Sequence, residues 1–560
     1  MFGWGGGIDV VISYPSVNLQ NRKRVDVDRE RTPPAQPTPL DFPQYDPPGI
    51  ASEANPATFD TLYRQLMAIR KPQDISVDHI KTLNLQVVRD VPASNIVPEE
   101  LLRGLPPLPW EEPQAPESGQ EASSHLMGNG NPYPPRDKYD VAKTELLFDN
   151  DDAFRELARM APRPGRQRVR LTQSRKFWAG LERMAQYWDT SLDNYYEKPV
   201  QPQKSTNGET KTDATQTDET LAADKAGDDK MDVDSPQAEK PQVETVYTGR
   251  RIGAGHEMPE DAREDTLRGL LEMAAWPFGC QAAVPSLPPR LAVRNLLFPV
   301  RQSLVAGRAP QDRQTARKGI LEGPVLVVQC RPETSFREPN EAPGQGQREM
   351  CDLIREVGAM LLTAQERARE GSVEVKPGEG KWWTTTPRWG GAPNDGVPID
   401  TPENTDSKPE EEEATGHANK RSRYADPRMS SRRQGPSNSR KASAAEKWKT
   451  LQAGPSLWDK KMRYMQIGKP KNSPFDDIYM ISSINHHVSI VHLRVHRRYL
   501  DYITHGKSDF HEESGSSDQP WYALSLRRTR WYDLMKAEER LEAFEGVWRV
   551  FHYLMRNNPD

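Results

Sequence analysis

After Gly323, the residues Pro324, Val325, Leu326, Val327 and Val328 stand together with no charge among them, inside the stretch Leu321 to Cys330. A short unbroken apolar run of this type belongs to a strand covered on both faces, so it calls for a sheet with layers on either side and a place near the sheet's centre. A partner follows a Pro- and Gly-rich loop. From Gln347 to Arg369, Leu353, Ile354, Val357, Met360, Leu361 and Ala364 recur at helical spacing, and Arg348, Glu349, Arg355, Glu356, Glu366 and Arg367 are placed to face water. Met258 to Trp276 predicts a second helix, with Leu267, Leu270, Leu271, Ala274 and Ala275 as its stripe, Pro259 in its first turn, and Pro277 and Gly279 as its stop. Arg290 to Arg301 reads as one further strand carrying Leu291, Val293, Leu296, Leu297, Phe298 and Val300.

Composition limits how much of the chain can behave this way. Of 560 residues, 50 are proline, 28% are charged and only 35% are hydrophobic, so large parts cannot bury enough apolar area to offset the entropy of ordering. About half the chain is therefore expected to be ordered. The fold class expected is mixed α+β, with a central α/β block, flanking helical and α+β segments, and long disordered linkers between them. The expected order is an extended docking segment (1–20), a disordered linker (21–55), a small helix and strand segment (56–105), a Pro-rich linker (106–140) and a helical pair (141–198). An acidic linker (199–245), the central block (246–391), a charged linker (392–444) and a C-terminal α+β block (445–560) complete it.

The flanking blocks show their own periodicities. Phe59, Leu62, Tyr63, Leu66 and Ile69 mark a short helix from Phe59 to Arg70, and Leu83, Leu85, Val87 and Val88 a strand. Lys143 to Arg159 and Thr172 to Trp188 read as two helices, the second with Phe177, Leu181, Met184 and Trp188 on its apolar face. Ile478 to Ile484 and Val488 to Val495 form a hairpin signal around Asn485, His486 and His487. A last helix from Trp531 to Met555 presents Leu541, Phe544, Val547, Trp548, Phe551 and Met555.

Motifs with chemistry are sparse. Cys280, Cys330 and Cys351 have no CxxC spacing, which suits a reducing compartment and excludes a cysteine zinc site of ordinary type. His486, His487, His492 and His496 invite a metal reading. Period-two alternation separates His487 from the others, however, and no neighbouring acid or cysteine completes a shell, so solvent-facing strand histidines, no metal and no cofactor are expected. Gly249, Gly253 and Gly255 with Arg250 and Arg251 could turn around an anion, although such clusters are more often connections. Arg163, Arg166, Arg168, Arg170, Arg175 and Lys176 make the strongest basic patch beside aromatic residues, a candidate nucleic-acid contact. Its competing reading is a solvated helix approach paired with the acidic run Asp149 to Asp152. Trp382, Trp383 and Trp389 lie within eight residues of sequence and serve either as a core lid or as a partner surface.

A net charge of −5 gives no overall case for a polyanion partner, and no apolar run reaches the roughly 18 residues of a membrane helix. Lys420, Arg421, Arg423, Arg432 and Arg433 form spaced basic clusters of the type that import receptors read, so a nuclear location is expected, with the cytoplasm as the alternative. The function that fits is a non-catalytic nuclear scaffold or regulatory subunit of a chromatin, transcription or RNA-handling assembly, with other proteins of that assembly as partners. Two alternatives stand beside it. One is a direct nucleic-acid binder. The other is a divergent nuclease-like protein using Glu272 and Glu333, since the central order of helix, strand, strand, helix resembles the core of restriction-endonuclease-like nucleases; here the second strand ends in Gln329, Cys330 and Arg331, and the first has no carboxylate.

Overall fold

The computed structural model describes residues 33–47, 56–69, 72–111, 126–199, 243–285, 289–294, 296–318, 320–369, 463–469, 473–507 and 519–557. Their elements, in chain order, are helices α1 (Pro56–Ala68) and α2 (Val77–Leu83), strand β1 (Leu85–Val91), and helices α3 (Glu99–Leu102), α4 (Arg136–Leu146), α5 (Asn150–Leu157) and α6 (Arg175–Trp188). Strands β2 (Tyr195–Pro199) and β3 (Val243–Tyr247) come next, then α7 (Glu260–Ala275), β4 (Cys280–Ala283), β5 (Arg290–Val293), β6 (Leu296–Pro299), β7 (Leu304–Arg308), α8 (Arg313–Arg317), β8 (Ile320–Arg331) and α9 (Gln347–Ala368). The chain continues through β9 (Arg463–Met465), β10 (Phe475–Ile484), β11 (His487–His496), α10 (Arg497–His505), β12 (Leu524–Thr529), β13 (Tyr532–Asp533) and α11 (Ala537–Leu554). These elements fall into two compact units, one within Met1–Thr38 and Arg183–Met258 and one within Pro39–Glu182 and Pro259–Asp560.

The larger unit is built on a nine-stranded mixed sheet in the order β1-β12-β11-β10-β8-β7-β4, with β13 paired to β11 and β9 to β8. The apolar run lies beside the middle of this order. All of β8 from Leu321 onward is buried, with β10 parallel on one side and β7 antiparallel on the other. Pro324 cannot donate to a ladder, and the register with β7 shifts next to it, between Ala306 and Arg308. Gly323 takes φ 137 there, a conformation closed to other residues, and a Cβ on it would sit 3.4 Å from Gly307 Cα.

Alternation along the strands sends two sets of side chains to two layers of helices. Val327, Met480, Val491 and Leu526 join the core formed with α9, α1, α2, α10 and the β5–β6 hairpin, where Phe59 packs on Tyr502 with ring centroids 4.5 Å apart. Tyr479 and Ile490 point the other way. There α11 comes so close that a Cβ on Gly546 would meet Ile490 at 2.4 Å, and Trp548 packs on Phe278 at 5.2 Å. Helices α6 and α7 cross at two glycines. A Cβ on Gly180 would lie 2.7 Å from Thr266 N, and one on Gly269 would lie 2.5 Å from Phe177 N.

The smaller unit pairs β2 and β3 antiparallel. Arg251 is its buried cation, donating to Asp193 from Nε at 2.9 Å and to Pro34 O at 2.7 Å, while Tyr247 OH donates to the same Asp193 at 2.7 Å. An anion-binding role for the turn around Gly249 to Gly255 is thus opposed by the protein's own carboxylate.

The mixed α and β class is observed, and several local expectations are corrected. The single strand read over Arg290 to Arg301 is a hairpin, β5 paired with β6, because the chain reverses after Val293 with Arg294 at φ 55. The helix read from Lys143 to Arg159 is two helices, since Asp149 accepts Asp151 N–H and starts α5 afresh. Leu83 closes α2 and the strand begins after Asn84, whose φ of 49 turns the chain. The last helix starts at Ala537, and part of the preceding segment adds β13 to the sheet.

Candidate functional site

The carboxyl ends of the mutually parallel strands β8, β10 and β12 bring Arg331, Ser482 and Arg528 onto the face covered by α9. This is the edge at which open α/β sheets commonly carry their sites. Asp352 and Glu356 are four residues apart on α9, so both carboxylates project at that edge. Glu356 forms an ion pair with Arg331 Nη1 at 3.1 Å, accepts from Arg528 Nη1 at 3.1 Å, and takes a hydrogen bond from Ser482. Arg331 pairs in addition with Asp352, which accepts Tyr45 OH at 2.5 Å. Burial is nearly complete, with side-chain exposures of 0% for Arg331 and Glu356, 2% for Asp352 and 3% for Arg528.

Two arginines thus neutralise two carboxylates. Burial opposes charge on Arg331, but Asp352, with Tyr45 and Glu356, outweighs it and holds the guanidinium charged. Tyr45 is pushed well above its usual range, chiefly by burial and then by Asp352 and Glu356. Aromatic rings close the cluster: Tyr45 lies 4.4 Å from the Arg528 guanidinium, and Trp531 lies 5.5 Å from Arg331 and 4.8 Å from Arg528.

Residues 41–47 form a strap across this end. Asp41 N–H donates to Thr334 O at 2.9 Å, Arg337 Nη2 binds the Asp41 carboxylate at 2.6 Å, and Gln44 N–H donates to Glu349 Oε1 at 2.9 Å. Beside the strap is a cavity of about 190 Å³ whose lining includes Tyr45, Val77, Ile80, Glu349, Met350 and Leu353. Glu349 is already engaged there, by Gln44 and by the Gly346 N–H at 3.1 Å.

The pattern of α9 points Glu349, Glu356 and Arg367 to water, and all three are buried instead. Each has a charged or polar partner that α9 alone does not reveal; Arg367, for example, forks onto Asp476 at 2.8 and 2.9 Å. The expected solvent-facing histidines are also corrected. His492 and His496 are buried, because the sheet has helices on both faces. His492 Nε2 meets Asp477 Oδ1 at 2.9 Å and stacks on Tyr479 at 4.7 Å, while Tyr553 OH donates to Asp477 Oδ2 at 3.0 Å. Burial alone would raise the Asp477 carboxyl, but the His492 contact, with Arg494 and Tyr553, brings it down to about 2.

The expectation that no acid joins the histidine pair is corrected as well. Among the described residues, His486, His487 and Asp533 form the one group of three metal-ligating side chains, with ligand atoms all within 4.8 Å of one another. His486 stands in the β10–β11 turn, where strand alternation does not apply, and His487 pairs across the sheet with Asp533. Burial lowers both imidazoles, His487 to about 4, and raises Asp533.

Half of the basic patch is answered by local acids. Arg163 binds Asp152 at 2.6 Å and Asp149 at 3.0 Å, Arg168 binds Glu156 at 2.5 Å, and Lys176 binds Glu272 at 2.8 Å while lying 5.0 Å from the Trp276 ring. Arg166, Arg170 and Arg175 are exposed. Glu333, the other acid of the nuclease alternative, faces Arg355 at 3.6 Å and Arg301 at 3.8 Å; neither it nor Glu272 belongs to a metal-ligating group of three among the described residues. Trp382, Trp383, Trp389, Lys420, Arg421, Arg423, Arg432 and Arg433 lie outside the described residues. No helix among the described residues is long and apolar enough to cross a membrane. No family model, curated protein or solved structure matches the chain.

Proposed function

We propose that this chain is a non-catalytic scaffold or regulatory subunit of a nuclear assembly that handles chromatin, transcription or RNA. The observation that carries this reading is the state of the carboxyl edge of the sheet. Asp352 and Glu356 are neutralised by Arg331 and Arg528, 0–3% exposed, and lie under Tyr45 of the strap. A general base or metal-binding acid has to reach its substrate, and these carboxylates are spent on holding the sheet's end together. At this edge of the sheet, that favours a role through surfaces. The pairing of Arg163, Arg168 and Lys176 with acids favours protein partners over direct nucleic-acid binding. The nuclear part of the reading rests on the cation clusters of Lys420 to Arg433.

The test has two arms. A tagged full chain in its own cells is expected to accumulate in nuclei and to elute with the same cross-linked partners in stoichiometric amounts; replacing Lys420, Arg421, Arg423, Arg432 and Arg433 together by Ala is expected to abolish the accumulation. Purified full chain is expected to leave RNA and DNA uncut with or without divalent ions. Cleavage that disappears in a folded Glu356→Gln variant would overturn the proposal.

A further inference from the structure

We propose that His486, His487 and Asp533 form a divalent transition-metal site of the zinc class, with three protein ligands and a fourth position left to water or a partner's side chain. The backbone delivers these groups together. Asn485, at φ 52, turns the β10–β11 hairpin, His486 follows in the turn, and His487 opens β11 directly opposite Asp533 of β13. The Leu534 N–H donates to His486 O at 2.9 Å, which ties the second histidine to the same segment. His486 Nε2 then faces Asp533 Oδ1 at 3.8 Å and His487 Nε2 faces Asp533 Oδ2 at 4.0 Å.

Those separations are too long for hydrogen bonds and suit an ion placed between the groups. Zinc at about 2.0–2.2 Å from nitrogen and oxygen ligands sets neighbouring ligand atoms roughly 3.3 Å apart in a tetrahedron. Closing on an ion therefore draws the ligand atoms, all within 4.8 Å of one another, together by up to about 1.5 Å. The framework around them is fixed: Asp533 N–H donates to Glu539 Oε2 at 2.8 Å, Asp533 Oδ1 accepts Met535 N–H at 2.9 Å, and Phe42 holds the His487 ring edge-on at 4.8 Å.

One cation already stands near. Lys536 Nζ lies 3.9 Å from Asp533 Oδ2, but it is 64% exposed and sits closer to Glu539, at 3.0 Å, so an arriving ion displaces it without stranding a buried charge. Two imidazoles and one carboxylate suit a first-row divalent ion such as Zn²⁺ or Co²⁺ over Mg²⁺ and Ca²⁺, which demand six or more oxygens. Bound there, the ion joins the hairpin turn to the segment that leads into α11. The inference is independent of the scaffold reading.

The full chain, stripped with chelator and dialysed, is titrated with Co²⁺ and then with Zn²⁺. The expected result is one equivalent of Co²⁺ with visible d–d bands, displaced by one Zn²⁺, and a higher unfolding temperature in the loaded protein. His487→Gln and Asp533→Asn, each checked for native circular dichroism, are expected to weaken binding by more than about a hundredfold, since even supporting residues around metal ligands are worth 10–100-fold. His505→Ala, an exposed histidine on α10, is expected to bind as the parent does. Absence of the bands, or equal binding by the parent and the folded His487→Gln protein, overturns the assignment.

Discussion

Replacing Glu356 by Ala removes the carboxylate shared by two buried arginines. Arg331 keeps Asp352, but among the described residues Glu356 is the carboxylate partner of Arg528, whose side chain is 3% exposed. The variant therefore leaves a guanidinium out of water with aromatic faces at 4.4 and 4.8 Å and no anion. Breaking a buried pair from one side costs about 3–5 kcal/mol, a large share of the roughly 5–15 kcal/mol that holds a folded unit together. Urea unfolding followed by tryptophan fluorescence is expected to show the midpoint lowered by at least about 0.5 M, given the steep m-value of a unit this size. The double variant Glu356→Leu with Arg528→Met removes both charges together. It is expected to recover most of the loss, because well-packed apolar groups often replace a buried ion pair at little cost. A Glu356→Ala midpoint within about 0.2 M of the parent would mean that the cluster is solvated, and the account of a sealed edge would fail.

Asp477 predicts an acid-dependent contribution. Its folded-state pKa of about 2 lies below the ordinary 3.8, so the stability it supplies is complete above pH 3.8 and is lost as pH falls toward 2. Asp477→Asn is expected to lower the midpoint at pH 7 and to flatten its fall between those pH values; an unchanged acid profile would exclude this carboxylate as the cause. Gly269→Ala drives a methyl group to within 2.5 Å of Phe177 N and is expected to cost about 1–3 kcal/mol in chemical denaturation, whereas no loss would mean that α6 and α7 do not cross where described. Replacing Arg166, Arg168 and Arg170 together by Ala is expected to leave the salt dependence of RNA and DNA affinity unchanged; a slope reduced by about two to three would restore direct nucleic-acid binding.

The elements that local pattern specifies were legible. The uncharged run of β8 and the stripe of α9 appear where periodicity places them, and the β10–β11 hairpin forms with Asn485 and His486 at its turn. Boundaries failed where a polar local feature interrupts a longer apolar pattern. Arg294 and Asn295 stand inside the run Leu291 to Val300 and could have been read as a reversal; Asp149 could have been read as a new N-cap between Leu147 and Phe154. The order of strands is another matter. Nothing local says that β1, from the first hundred residues, lies parallel to β12 more than four hundred residues later, because that choice is made by which surfaces remain uncovered once the helices have docked.

The charged groups at the sheet's edge were illegible for the same reason, and their error had a direction. On a helical wheel Glu356 belongs with the polar residues and reads as water-facing; in the fold that flank of α9 meets the ends of β10 and β12, and the acid is covered. A carboxylate can be enclosed there only because cations arrive from strands that are distant in sequence, Arg331 on β8 and Arg528 on β12. The histidine pair repeats the logic, since Asp533 reaches His487 only through the β11–β13 pairing. Local pattern therefore identifies which residues can carry charge, and long-range pairing decides whether that charge faces solvent, is neutralised in the core, or stands ready for an ion. Among the described residues these outcomes lie close together: the aromatic pair Phe42 and Trp531, stacked at 5.4 Å, touches His487 on one side and the Arg331 and Arg528 cluster on the other. Metal loading at Asp533 and loss of Glu356 therefore act on the same end of the sheet, and their effects on stability are expected to be non-additive when combined.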